Sequence, residues 1–573
     1  MSLLNFSKAN CRNCYKCLRV CPVKAIKIKN EQAEIVEERC IGCGQCLIVC
    51  PQNARKIKSD LEEIKSAIKQ GMKVIASLAP SFVGAFEMDC PEQLVSGLKA
   101  LGFYRIEETA IGAEMVADAY NSIAETGDYE NIITTCCPSA NYLVDRYYPT
   151  LTKYLLPVVS PMLAHGKLLK HRYGRDCFVV FIGPCTAKKI EAVSFQHVGT
   201  IDGVLTFEEL SKWLQDEQVY LKDQNAQSFS SKAYQRGSAF PLGGGVIASF
   251  GKGPKAKEYE RLRVDGIDEC MAIFQSLKED NIKGVCVEVN VCRGGCINGP
   301  GMPKSEWDFF KRQRRVKEYV KKQENIQPQE LPEPVQINLT KIFIDRPVER
   351  KLADEEALTE ILRAMGKFET SDELNCGGCG YNTCRDKAQA VYEGMAEMNM
   401  CLPFMRAKAE SLTNVIFENT PNGIIVVDDK LHVKEFNPTA ERVFGVKAEK
   451  VKDLPIAIVM DDSNFRYVIE KKESLPAQKI TYAEYGAVFL QNILYLEKQN
   501  VALAIMTNMT NEEKQREELK RVKENALNAA QKVIEKQMRV AQKIASLLGE
   551  TTAETKVTLT KLKEIALEEG DSE

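Results

Sequence analysis

Histidine is scarce, with four in 573 residues, too few for His-rich zinc or non-haem iron chemistry. Net charge is nearly absent: 77 Lys and Arg stand against 79 Asp and Glu, which removes a global electrostatic grip on nucleic acid or an anionic membrane. No apolar run reaches the roughly 18 residues of a membrane span, and residues 1–10 carry no charged-then-apolar leader. Neither a nucleic acid nor a membrane is therefore expected as a partner. Cysteine, by contrast, is abundant at 21 residues. The expected compartment is the reducing cytoplasm, where thiolates serve metals or catalysis rather than disulfides. Thiolate-bound iron is the leading expectation. An apolar fraction of 44% is that of an ordinary folded chain, and at roughly 150 residues per domain the length calls for about four domains.

The pattern C-x2-C-x2-C-x3-C-P is written twice, as Cys11, Cys14, Cys17, Cys21-Pro22 and Cys40, Cys43, Cys46, Cys50-Pro51. In such a loop three thiolates face one cubane, and the fourth, before proline, belongs to the other. Cys11, Cys14, Cys17 and Cys50 are expected to hold one [4Fe–4S] cluster and Cys40, Cys43, Cys46 and Cys21 another, for electron conduction. The repeat resembles the bacterial two-cluster ferredoxins; paired zinc knuckles would not need the crossed arrangement. A third group, Cys376-Gly-Gly-Cys379-Gly-Tyr-Asn-Thr-Cys384 with Cys401, has glycines that let a loop wrap a cluster closely. It resembles the small four-cysteine iron–sulfur domain of membrane electron-transfer complexes and some hydrogenases. A third [4Fe–4S] cluster is expected there, with structural zinc as the competing occupant.

Between these groups, strand-like runs at 74–78 and 177–182 alternate with helical periodicity, which points to α/β architecture. Five more cysteines lie on three loops: Thr134-Thr-Cys136-Cys137-Pro138, Gly183-Pro184-Cys185-Thr-Ala-Lys188-Lys-Ile-Glu191 and Glu288-Val-Asn290-Val-Cys292-Arg-Gly-Gly-Cys296. Each has Pro or Gly where the backbone must turn sharply, and they lie far apart in sequence, as the loops of an interdomain site do. They resemble the three signatures of [FeFe]-hydrogenases. The likeness covers residues 74–301 and includes Ala79-Pro80-Ser81, Ser160-Pro-Met-Leu-Ala-His165-Gly and Asp202-Gly-Val-Leu-Thr206. The resemblance implies an H-cluster, a [4Fe–4S] cubane joined to a diiron unit bearing CO, cyanide and azadithiolate. Cys137, Cys185, Cys292 and Cys296 would hold the cubane, with Cys296 bridging to the diiron unit. Cys136 would exchange a proton with the amine, and Lys188 would donate to a cyanide as a charge-assisted contact. Ala79, Pro80, Ser81, Gly183, Pro184 and Asn290 would line the cofactor.

The departures from that family carry their own expectations. Its usual methionines are Gly183 and Asn290 here, so the pocket is expected to be roomier on one side and more polar on the other. Ser139-Ala140 replace a usual aromatic. The two acidic positions of the family's proton relay fall at Tyr120 and Ile123, and its serine at Leu156, none a comparable carrier. Slow catalysis is therefore expected, with Glu114, Asp118, Glu191 and Glu288 the candidates for a substitute path. Cys90, Cys177, Cys270 and Cys286 are expected to be small buried hydrophobes, and His165 and His171 to be structural rather than ligands; His432 is not expected to bind haem.

Residues 411–510 resemble a PAS domain through Ile416-Phe-Glu-Asn-Thr-Pro421-Asn-Gly-Ile-Ile-Val-Val-Asp-Asp429, Glu435-Phe-Asn437-Pro-Thr-Ala440 and Asn508-Met-Thr510. Beyond it, Leu527, Ala530, Ile534, Met538 and Ala541 recur at helical spacing, a stripe suited to a partner helix. The expected fold is multidomain, α/β and α+β: a ferredoxin-like domain at 1–60, the H-cluster domain at 61–325, a linker at 326–370, the four-cysteine domain at 371–408, PAS at 409–512 and a helical or coiled-coil output segment at 513–573. The implied function is slow, reversible H2 heterolysis with an H2- or redox-sensing role. The expected partners are H2 and protons, a ferredoxin-type electron carrier, a kinase or phosphatase acting in trans, and a second copy joined through PAS and the terminal helix. The alternatives are an ordinary turnover hydrogenase with an accessory PAS domain, and an iron–sulfur redox sensor without the diiron unit.

Overall fold

The computed structural model describes residues 4–6, 10–231, 235–250, 259–304, 306–323, 337–548 and 557. The chain divides into two units, 1–405 and 406–573. In the first unit, the ferredoxin-like part is built on a hairpin, Ile26–Lys29 against Gln32–Ile35, and two short helices, Lys16–Val20 and Gln45–Ile48. The strand pair Leu4–Phe6 and Arg55–Ile57 brings its two ends together.

The central part contains two parallel sheets. One has the order Arg105–Glu108, Val74–Leu78, Phe178–Gly183, Gly203–Thr206. The other runs Glu260–Asp265, Val285–Asn290, Ile132–Ile133. Val74–Leu78 and Val285–Asn290 are buried at every position; the first reads as a nearly unbroken apolar run for that reason, whereas the second carries Glu288 and Asn290 inward. Helices cover the first sheet, and Ile106, Val180 and Leu205 lie in one core with Val116, Leu163 and Leu210. Ligands of open parallel sheets gather beyond the carboxyl ends of the strands. Here Val74–Leu78 delivers Ala79-Pro80-Ser81, Phe178–Gly183 delivers Pro184-Cys185, Ile132–Ile133 delivers Cys136-Cys137, and Val285–Asn290 delivers Cys292.

The segment expected to be a linker needs correction. Residues 327–334 lie outside the described residues, but Glu355–Ala364 is a helix, with the Asp354 carboxylate accepting from Ala357 N at 2.8 Å. It packs on the helix Cys384–Tyr392, where Leu362, Met365, Ala388 and Cys401 share a small core. Residues 339–348 run along the central part, bonded at Val159 N to Leu339 O and Arg346 N to Asp145 O. An amphipathic helix with a core to join is domain, not tether.

The second unit holds a five-stranded antiparallel sheet in the order Val433–Phe436, Gly423–Val427, Val501–Asn508, Ala487–Leu496, Leu475–Tyr482. Asn437, fully buried, holds its entry together: its Oδ1 accepts from Ile424 N and Ala440 N, and its Nδ2 donates to Phe417 O and Asn422 O. The helix Thr510–Leu548 follows, 39 residues long. Leu519, Val522, Val533, Val540 and Ile544 are exposed on it and widen the stripe read from the sequence. Among the described residues no helix is long and apolar enough to cross a membrane.

Candidate functional site

Four cavities collect sixteen cysteines in the expected sets. Cys11, Cys14, Cys17 and Cys50 line one, and Cys21, Cys40, Cys43 and Cys46 another. Cys376, Cys379, Cys384 and Cys401 line a third. The fourth, of about 40 Å³, is lined by Cys137, Cys185, Cys292 and Cys296 together with Cys136, Lys188, Pro184 and Asn290. A zinc ion needs its thiolates at roughly 2.3 Å. Thiols ringing a cavity suit a cluster better. Burial pushes Cys21 and Cys185 up to about 11 and Cys46 up to about 12, so an empty chain keeps them as thiols and loading them expels protons.

The fourth cavity has donors placed for more than a cubane. Lys188, 7% exposed, donates to the Cys136 carbonyl at 3.4 Å and pairs with Glu191 at 2.7 Å. Burial disfavours the Lys188 cation, but the Glu191 carboxylate paired with it outweighs this and raises its pKa. Glu191 is itself held by Ser160 Oγ at 2.8 Å and faces Lys341 at 3.6 Å. Ser81 Oγ is buried without a partner on the turn Pro80–Gly84. Ala79, Pro80, Ser81 and Gly183 do not line this cavity; they sit at its shoulder, Ala79 against Gly183.

The expected room at Gly183 is taken. A Cβ there would lie 2.6 Å from the Phe181 ring and 3.1 Å from Ala79 Cβ. Residues two apart on a strand share a face, and Phe181 fills from within its own strand the space a larger side chain at 183 would need. The other expectation agrees with the geometry: Asn290 lines the cavity and its Nδ2 donates to the Glu288 carboxylate at 2.9 Å. Glu288, wholly buried, also accepts from Gly244 N and Ile247 N. Burial outweighs these bonds and holds its carboxyl above the ordinary range.

Tyr120, which the sequence marked only as a lost acid, proves to touch Cys136. Its hydroxyl lies 3.4 Å from the Cys136 sulfur and 2.9 Å from Thr135 Oγ1, and accepts from Thr135 N at 2.8 Å. Thr135 Oγ1 then donates to the carbonyls of Leu156 and Val158 at 3.2 and 2.9 Å. The chain of hydroxyls ends on oxygens that carry no proton. Of the four substitute acids, Glu191 and Glu288 reach the cavity through Lys188 and Asn290. Glu114 and Asp118 are instead paired with Arg236, and Ile123 is half-buried. Thr135 and Phe181 were missed by sequence reasoning: Thr135 stands in the first cysteine loop, but its hydroxyl matters only through the fold that brings Tyr120 to it, and Phe181 lies two residues before the second loop and acts by packing.

Among the remaining residues, Cys177, Cys270 and Cys286 are buried as expected, but Cys90 is only half-buried. His165 is buried and bonded to Ser77 Oγ at 2.8 Å, with Glu107 at 3.4 Å; His171 is exposed. His432 faces Asp428.

Comparison with known proteins adds the following. Residues 72–300 match the iron only hydrogenase large subunit, C-terminal domain; residues 10–57 a 4Fe–4S dicluster domain; residues 372–403 a putative Fe–S cluster family; residues 411–479 a PAS domain. Iron hydrogenase 1 of Clostridium pasteurianum is 27% identical over 300 residues, 42% of this chain and 52% of that protein. The chain thus spans about half of that relative's length. The periplasmic [Fe] hydrogenase large subunit of Nitratidesulfovibrio vulgaris is 28% identical over 53% of this chain and 87% of its own. Among solved structures, a variant of [FeFe]-hydrogenase HydA1 from Chlamydomonas reinhardtii aligns with a TM-score of 0.41 at 18% identity, covering 51% of this chain and all of that one.

Proposed function

We propose that this chain, in which an iron-only hydrogenase domain is joined to a 4Fe–4S dicluster domain and a PAS domain, is a slow [FeFe]-hydrogenase whose state is read out as a signal. The observation that carries the reading is one cavity lined at once by four cluster-type thiols, the extra thiol of Cys136 and the buried ammonium of Lys188. Cys137, Cys185, Cys292 and Cys296 would hold the cubane half of an H-cluster, and Lys188 would donate to the diiron half. When bound, that group supplies the interconversion of H2 with two protons and two electrons.

The chain's own part is to orient, to exclude water and to move charge. Glu191 fixes the Lys188 ammonium at the cavity wall, so that its charge costs no reorganisation when a ligand needs it. Cys136 holds a proton at its sulfur. Tyr120 and Thr135 order that sulfur but offer no onward carrier, since their chain stops at the Leu156 and Val158 carbonyls. A missing relay step worth roughly 3 to 4 kcal/mol slows turnover about 10²- to 10³-fold. A slow enzyme coupled to PAS and an exposed terminal helix suits sensing better than bulk H2 metabolism. Electrons would pass between the H-cluster and a ferredoxin-type carrier through the N-terminal clusters, because Cys43 lines both the inner ferredoxin cavity and the catalytic one. The signal would pass to a kinase or phosphatase in trans.

Infrared spectra of the matured protein should show metal-bound CO and cyanide bands, and film electrochemistry should give slow currents in both directions. A cubane-only spectrum would leave a non-enzymatic redox sensor, and currents matching fast hydrogenases would overturn the sensory reading.

A further inference from the structure

The four-cysteine domain is fastened to the ferredoxin-like part by contacts that fall beside the ligands of both. Arg19 Nη2 donates to Gly378 O at 3.2 Å and Ile28 N to Met395 O at 2.9 Å. Asn30 N donates to Glu397 Oε1 at 2.7 Å. Leu18, fully buried between Cys17 and Cys21, fills the space beside Gly380, the neighbour of Cys379: a Cβ on Gly380 would lie 3.0 Å from Leu18 Cγ, and its φ of +92° suits glycine alone. Leu18, Ile28, Tyr381 and Met395 belong to one core, with Cys17, Cys21, Cys46 and Cys379 packed against it.

Lys24 sits in this joint. Its ammonium donates to Leu18 O and Arg19 O, both at 3.3 Å, and across the seam to Gly380 O at 3.0 Å. One ammonium thus bridges the loop that carries Cys17 and Cys21 and the loop that carries Cys379. Exposure separates the sets further. Cys14 and Cys376 are exposed, whereas Cys21, Cys40, Cys43 and Cys46 are all partly covered. The inner set also shares Cys43 with the catalytic cavity.

We infer that the electron path forks at the inner cluster held by Cys21, Cys40, Cys43 and Cys46. One branch leads to the outer ferredoxin cluster and the surface at Cys14. The other crosses the Lys24 joint to the third cluster and the surface at Cys376. The inference rests on the reading above that these sites hold conventional clusters. H2 yields two electrons, and each [4Fe–4S]2+ accepts one to become [4Fe–4S]1+, so a fork gives each electron its own terminal.

The test uses the full-length holoprotein reduced with dithionite, so that it does not depend on H2. Electron paramagnetic resonance should show the third cluster's signal broadened by a neighbouring spin. That broadening should survive Cys11→Ala/Cys14→Ala, which removes the outer cluster, and vanish in Cys40→Ala/Cys46→Ala, which removes the inner one. The opposite pattern, or no broadening in the parent, would overturn the fork. Lys24→Met leaves every ligand in place and guards against misfolding of the cysteine variants. It should lower the midpoint potentials of the inner and third clusters and spare the outer one, and a shift confined to one cluster, or none, would count against the joint. Intact broadening in a protein that lacks CO and cyanide bands would fault the hydrogenase reading and leave the fork standing. Lost broadening beside full bands would fault the fork alone.

Discussion

Glu108 is a carboxyl sealed from water, 1% exposed, with one oxygen bonded to the Tyr319 hydroxyl and the other without a partner. Burial raises its pKa to about 7, against the opposing pull of Tyr319. An acid whose folded pKa lies above its unfolded value of roughly 4.3 binds more protons when folded. Its cost to stability therefore grows as pH rises from about 4.3 to about 7 and is constant above. Glu108→Gln keeps an acceptor for Tyr319 and removes that cost, so urea midpoints should show a gain of roughly 2–4 kcal/mol at pH 8 that shrinks severalfold at pH 5. An equal gain at both would refute the assignment. Tyr120 makes the complementary case at the catalytic cavity. Tyr120→Phe strands the Thr135 amide in a dry interior, at a cost of roughly 1–3 kcal/mol. If the hydroxyl only orders Cys136, turnover should fall less than tenfold, whereas Cys136→Ala should slow it much further with the infrared bands intact. A Tyr120→Phe rate as low as that of Cys136→Ala would make the tyrosine a proton carrier.

At the scale of elements, legibility followed chemistry more than geometry. The ligand loops were readable because thiolates at fixed spacing have few other uses, and Val74–Leu78 because a strand buried on both faces has little polar surface to show. The helix Glu355–Ala364 was just as patterned, with Asp354 as its cap and Leu358, Ile361, Leu362 and Met365 on one face. It stood beside a proline-rich stretch and carried no chemistry, and so passed for linker. Phe181 shows the other limit. Its ring occupies the space beside Gly183 because strand neighbours two apart point the same way, yet which of them fills a shared pocket is settled only by packing. The pair makes a double-mutant cycle. Gly183→Met alone should destabilise by roughly 1–3 kcal/mol through overpacking, and Phe181→Ala alone by roughly 3–5 kcal/mol through the cavity it leaves. The double variant should cost less than the sum, a coupling of at least about 1 kcal/mol measurable in urea melts. Simple additivity would mean that the two side chains do not compete for one space.

For the whole molecule, the division at residue 405 would, on the proposed reading, separate where electrons move from where a signal leaves. The sixteen cysteines that line the four cavities all lie in 1–405, and the cores around them close there. The second unit has its own core around Ile425, Phe465 and Phe489 and then a helix of 39 residues, roughly 58 Å at 1.5 Å per residue. Helices in proteins draw most of their stability from packing an apolar face, and this one shows Leu519, Val522, Val533, Val540 and Ile544 to solvent. The spacings from Leu519 to Val522 and from Val533 to Val540 to Ile544 are those of a two-helix seam, so a second copy of the same helix is the proposed cover. Removing residues 512–573 should therefore leave cluster content, infrared bands and H2 currents within twofold of the parent. Sedimentation should at the same time change from dimer to monomer, and the charged pair Val533→Glu/Val540→Glu should do the same in the full chain. A signalling partner that reads the paired helices would lose its binding in both variants. If either remains dimeric, or still binds and regulates the partner, the terminal helix is not the output, and the sensory reading must find its exit on the PAS sheet instead.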